Sequence, residues 1–209
     1  MQGYMRKQFL ITALICLAAI AALVPVSCNN SVQEKRMITV SILPQKFMLK
    51  KIVGDNFEIS CMLNEGNNPE AYEPSMTHLM NIEHSMAYFC IGYIGFEDAI
   101  VGKAHINNPD LKIYNNSKGI NVIRGTHFSP EGSHDEADPH LWTSVANAII
   151  ISQNMLAAVI ELDPANADTY TANFNAFKTE LDSLDSYIKS KLADKRSAAF
   201  LVWHPSLSY

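Results

Sequence analysis

Between Ser133 and Trp142, five of ten residues are His, Asp or Glu: His134, Asp135, Glu136, Asp138 and His140. The run closes as Asp138-Pro139-His140-Leu141-Trp142, one imidazole set between a rigid proline and two apolar anchors. Two other segments pair a donor with proline and an aromatic: Pro69-Glu70-Ala71-Tyr72 and Trp203-His204-Pro205. Imidazole nitrogen suits zinc, and carboxylate oxygen serves zinc, manganese or iron. Proline narrows the backbone beside each donor and lowers the entropy lost when an ion binds. Glu70, His140 and His204 are therefore candidate metal ligands. His127, Glu131, His134, Asp135, Glu136 and Asp138 form a short acidic loop that reads either as a solvated connection or as a weak capture site.

Hydrolytic chemistry has less support. A metal hydrolase needs an open coordination position and a placed general base. The chain carries no His-Glu-x-x-His run and no serine or cysteine nucleophile in a recognisable setting. A surface adhesin or scaffold, needing no converging ligands, is the other alternative.

The elements that must position these donors read as alternating strands and helices. Met37–Leu43 and Phe57–Leu63 are short β-rich runs, and between them Pro44 opens a helix that Gly54 stops. Ser75–Ser85 is a short helix and Ala87–Ile91 a third strand. A helix opens near Glu97, and Leu111–Tyr114 is a fourth strand. The alternation predicts an α/β fold with a parallel sheet, whose ligand loops leave the carboxyl ends of the strands. Thr143 is placed to cap a helix carrying Val145, Ile149, Leu156 and Ile160. Asp163-Pro164 then starts a second, on which Tyr170, Phe174, Phe177, Leu181, Leu184, Ile188 and Leu192 form one stripe. At about 1.5 Å per residue it is about 45 Å long, a strut between two bodies. Ala198–Trp203 reads as a strand beginning a second sheet for which no sequence remains, so the chain reads as truncated.

The expected organisation is a targeting segment over 1–28, a tether over 29–36, a first lobe over 37–162, a long helix over 163–195 and the start of a second lobe over 196–209. Arg6 and Lys7 precede the apolar run from Phe9 to Val26, and Ser27-Cys28-Asn29-Asn30 follows. That order resembles a bacterial lipoprotein signal with Cys28 as the lipidated residue. The run is also near the length of an uncleaved anchor. Either way the body lies in the cell envelope, on the periplasmic face of a membrane. Cys61 and Cys90 remain, each in an apolar run, as buried thiols or a disulfide. The 16 basic residues less Arg6 and Lys7 leave 14 against 21 acidic ones, a net charge of −7. So acidic a chain disfavours nucleic acid and attracts cations.

In this order and spacing several runs resemble the substrate-binding proteins of zinc and manganese ABC transporters. They are Pro69-Glu-Ala-Tyr-Glu-Pro74, Tyr93-Ile-Gly-Phe-Glu97, Asp138-Pro-His-Leu-Trp142, the long helix and Val202-Trp-His-Pro-Ser-Leu-Ser-Tyr209. The resemblance covers residues 37–209. It implies two α/β lobes joined by one rigid helix, with the ion held between them and passed to a membrane permease driven by an ATPase. It implies His140 as the second ligand and His204 as the third. Glu70 stands where the family has histidine, a harder donor that shifts preference modestly from zinc toward manganese or iron. The fourth ligand of the family has no counterpart, so three donors are expected at most, with weaker binding than in an extended form. The loop from His127 to Asp138 resembles the His- and acid-rich loop of zinc-preferring members.

Overall fold

The structure is a computed structural model that describes residues 36–209, apart from 64, 67–71, 126–127, 130–131, 134–136, 196, 198, 203 and 205. Four short strands form its main sheet: β1 Met37–Val40, β2 Glu58–Cys61, β3 Ala87–Cys90 and β4 Lys112–Asn115. All pair in parallel, in the order β2-β1-β3-β4. Helices α1 Leu43–Val53, α2 Met76–Glu83 and α3 Gly95–Asn107 make the crossovers. The expected parallel α/β fold is therefore what forms. Its central strands are buried runs: Ile38, Val40, Ala87, Tyr88 and Phe89 have no exposed surface. A strand covered on both faces has no reason to alternate polar and apolar residues.

The strands are shorter than the β-rich runs suggest, and Gln45 shows why for β1. Its side-chain oxygen accepts the N–H groups of Ser41 (3.1 Å) and Ile42 (3.2 Å), which turns the backbone into α1 directly after Val40. At the other end of α1, Gly54 takes φ 56° and donates its N–H to the Lys50 carbonyl at 3.0 Å, closing the helix. Cys61 and Cys90 are both free and buried. They sit on β2 and β3 with β1 between them. Burial pushes their thiols up to about 11 and about 12, so neither is a ready nucleophile.

Two helices pack on this layer, α4 Val145–Leu162 and α5 Ala167–Leu192. Thr143 does not cap α4. It ends a 3-10 turn, Leu141–Thr143, its hydroxyl donates back to the His140 carbonyl at 2.8 Å, and Ser144 takes the cap position. Likewise Pro164–Asn166 is a 3-10 turn, after which α5 runs for 26 residues, about 39 Å. The apolar stripe on α5 is only half covered. Tyr170, Phe174, Phe177 and Leu181 are buried, whereas Leu184, Ile188 and Leu192 are 45%, 38% and 58% exposed. Ala198–Trp203 forms no strand among its described residues, and Leu201 is 99% exposed. A strand is held by its neighbour's hydrogen bonds, and no neighbour lies beside this one among the described residues. A two-stranded antiparallel pair, β5 Phe128–Ser129 with β6 Gly132–Ser133, lies in the acidic loop.

One polar cluster ties the start of β1 to the α4–α5 corner. Asp163 accepts from Arg36 (2.8 Å), Tyr170 (2.6 Å) and Asn166 (2.8 Å), and Arg36 stacks over Phe57 at 4.7 Å. The Arg36 hydrogen bond, outweighing burial and aided by the Tyr170 and Asn166 bonds, holds the Asp163 carboxyl down at about 2. A carboxyl lowered on folding adds stability above its unfolded value, about 3.9, and that stability is lost as pH falls through about 2. Asp163→Asn should cost roughly 1–2 kcal/mol at pH 7, discounted because Arg36 is partly exposed. Urea unfolding of both proteins should converge as the pH falls from 4 to about 2. A constant gap across that range would show that charge is not the cause.

Candidate metal centre

Strand order reverses between β1 and β3, the place where ligands gather in such sheets, beyond the carboxyl ends. A buried polar network fills it. Glu97, 2% exposed, accepts from the N–H groups of Ile91 (2.8 Å), Gly92 (2.6 Å) and Ile94 (3.4 Å) and from the Ser41 hydroxyl. The Ser41 hydrogen is thus committed to Glu97, so the Tyr88 hydroxyl donates to Ser41 Oγ, at 2.6 Å. Burial raises the Glu97 carboxyl, and the Ser41 and backbone donors oppose the rise. Gln45 completes the cluster, donating to the Phe89 carbonyl (3.2 Å) and Asn116 Oδ1 (3.0 Å). Together these bonds fix the turn from Ile91 to Ile94. Gly92 has φ 87° there, and a Cβ at that position would run into the Asn115 side-chain amide.

Burial raises the Tyr209 phenol, the Ile123 N–H bond opposes the rise, and Asp138 and Tyr93 add to it. Tyr209 in turn leads to the histidine pair. Its hydroxyl donates to the Asp138 carbonyl at 2.8 Å and accepts the Ile123 N–H at 3.1 Å. Asp138, with no exposed surface, receives the His140 N–H (2.9 Å) and His140 Nδ1 (2.8 Å) on one carboxylate oxygen. Burial works to raise this carboxyl, but the bonds from the Ser208 hydroxyl and from the His140 backbone and ring outweigh it, leaving it below the usual range. Asp138 is then an anion and can only accept. The hydrogen on His140 therefore sits on Nδ1, and in the neutral ring Nε2 keeps its lone pair. That lone pair points at His204: the two Nε2 atoms are 3.2 Å apart, with ring centroids at 4.9 Å and planes at 77°. Leu141, fully buried, anchors the turn, and Trp142 lies against the other side of the His140 ring at 5.3 Å.

Such a pair suits a divalent cation. Two nitrogens at 2.0–2.1 Å from one tetrahedral ion are about 3.3 Å apart, close to the observed 3.2 Å. Without an ion, His204 Nε2 must carry the hydrogen that bonds His140; to ligate an arriving cation at Nε2, the neutral ring would carry its hydrogen on Nδ1 instead. The carboxylate behind His140 fixes the tautomer, the usual support of a metal-bound imidazole.

The sequence picks out His140 and His204, 64 residues apart, and the structure brings them together. Glu70, His127, Glu131, His134, Asp135, Glu136 and Cys28 lie outside the described residues. Among the described residues no group of three His, Cys, Asp or Glu side chains surrounds one point. Asp138 turns toward the His140 ring, as a supporting acceptor rather than a loop donor. Ser208, Tyr209 and Gln45 were not anticipated. Only Gln45 carried a local signal, as a polar residue one turn inside a proline-started helix.

The family model described as zinc-uptake complex component A, periplasmic, matches residues 38–209. The iron ABC transporter substrate-binding lipoprotein MtsA of Streptococcus pyogenes serotype M1 is 31% identical over 152 residues, covering 69% of this chain and 47% of its own length. The metal ABC transporter substrate-binding lipoprotein ScbA of Streptococcus cristatus is 26% identical over 195 residues, 88% of this chain and 60% of its own. A crystal structure of a ZnuA deletion mutant with zinc bound superposes with a TM-score of 0.76 at 33% identity, over 84% of this chain and 65% of that one. The chain thus spans about half to two thirds of the length of these relatives. With all but the first 37 residues matched in one stretch, the chain belongs to the periplasmic zinc-uptake component A family.

Proposed function

We propose that this chain is the metal-capturing part of an extracytoplasmic receptor for an ABC importer. It takes up zinc, with manganese or iron as the alternative cargo, and presents it to a membrane permease and its ATPase. His140 and His204 are the two imidazole ligands, and Glu70 is the third donor. Cys28 carries the lipid that holds the receptor at the membrane. The reading rests on one observation, the 3.2 Å approach of two Nε2 atoms from segments 64 residues apart. Reversible capture needs ligands and no reacting group, and this chain supplies that: a lone pair aimed outward and a buried anion behind it. The relatives' names as transporter substrate-binding lipoproteins support the same role.

Metal competition tests it. With two imidazoles in the set, affinity should follow the order of the divalent ions, manganese below iron(II) below zinc. The purified chain should hold one zinc, and zinc should displace manganese and iron(II) in a titration with a competing chelator. Failure to retain any of the three ions would overturn the assignment.

A further inference from the structure

The His204 segment is anchored to the rest of the protein at the same residue, Asp138, whose carboxylate orients His140. Tyr209 donates its hydroxyl to the Asp138 carbonyl at 2.8 Å while accepting the Ile123 N–H at 3.1 Å. Ile123 and Asp138 are themselves joined, Asp138 N–H to Ile123 carbonyl, at 2.9 Å. Tyr209 is thus inserted into an existing backbone pair. Between anchor and ligand the chain turns tightly, with the Ser206 N–H on the His204 carbonyl at 2.8 Å. His204 is exposed, and Leu207 is 56% exposed, so burial of these side chains does little to hold the segment down.

Resting on the receptor reading, we propose that Tyr209 is a positioning residue that forms a latch. It holds His204 over His140 and sets how long a captured divalent cation stays. Because Tyr209 grips the backbone of the residue whose carboxylate orients His140, lifting the segment withdraws one ligand and frees the main chain behind the other. Release of the ion is then a single motion of residues 204–209, with no chemistry at the metal.

The test is a cycle of variants of the full chain, read with Zn²⁺. Tyr209→Phe removes the hydroxyl that serves two partners, and zinc dissociation into excess chelator should quicken about tenfold. In a His204→Ala background the same substitution should change nothing, because the residue it positions is gone. An equal effect in both backgrounds means general loosening and overturns the latch, as does no effect in either. A second readout needs no metal. Nuclear Overhauser contacts between the His140 and His204 rings should weaken in Tyr209→Phe, and unchanged contacts overturn the latch. A parent chain that binds no zinc sinks the receptor reading instead, and the ring contacts still decide the latch.

Discussion

On the proposed receptor reading, zinc affinity should fall about 100-fold or more when His140 is replaced by alanine, and as far when His204 is. The expectation comes from the shape of the pair: each ring supplies one nitrogen to one point, and their 3.2 Å separation leaves no slack for substitution. Supporting residues of metal-bound histidines are worth about 10–100-fold, and a ligand itself should exceed them. The two variants separate on stability. His140 is buried and its ring and N–H both donate to Asp138, which has no exposed surface. His140→Ala deprives a buried anion of one donor and costs about 1–3 kcal/mol. His204 is exposed, and its loss should cost almost nothing in the metal-free protein. Chelator titration and urea unfolding on the same samples give both numbers. Equal destabilisation, or zinc binding that survives either change, contradicts the shared-ion geometry.

Glu97→Ala should lower stability by about 3 kcal/mol or more. Four donors converge on this carboxylate: three backbone N–H groups and the Ser41 hydroxyl. Alanine accepts from none of them, and each buried donor left unpaired costs about 1–3 kcal/mol. Water entering the vacated volume would recover part of that, so the sum over four is an upper bound. Glutamine is a sharper probe, because its amide nitrogen would face N–H donors with a donor of its own. Both variants should lower the urea midpoint with glutamine the milder. A Glu97→Gln protein as stable as the parent would mean that the site holds a neutral acid. In that case the acid keeps the hydrogen that the amide would mimic.

What could be read along the chain was what depends on neighbours in sequence. The parallel sheet followed from strands, helices and their stops, because Pro44 and Gly54 punctuate locally. His140 stood out because the turn that presents it is built from adjacent residues, with Leu141 as its fully buried anchor. Ser208 and Tyr209 could not be found that way. Their partner Asp138 lies some 70 residues back, and two hydroxyls in a short polar stretch resemble any tail. The described part of the expected 198–203 strand, residues 199–202, stays unpaired for the converse reason. Its composition favours an extended backbone, but strand formation is a property of pairs. Thr143 shows competition between local rules: a residue suited to a cap spends its hydroxyl on the preceding carbonyl instead.

The uneven cover along α5 has an adhesive consequence. Leu184, Ile188 and Leu192 keep their side chains largely in water at the far end of a stiff rod. Each keeps back roughly half of the about 1.5–3 kcal/mol that full burial gives. A polypeptide body that settled there would be gripped by the rod, not by the sheet.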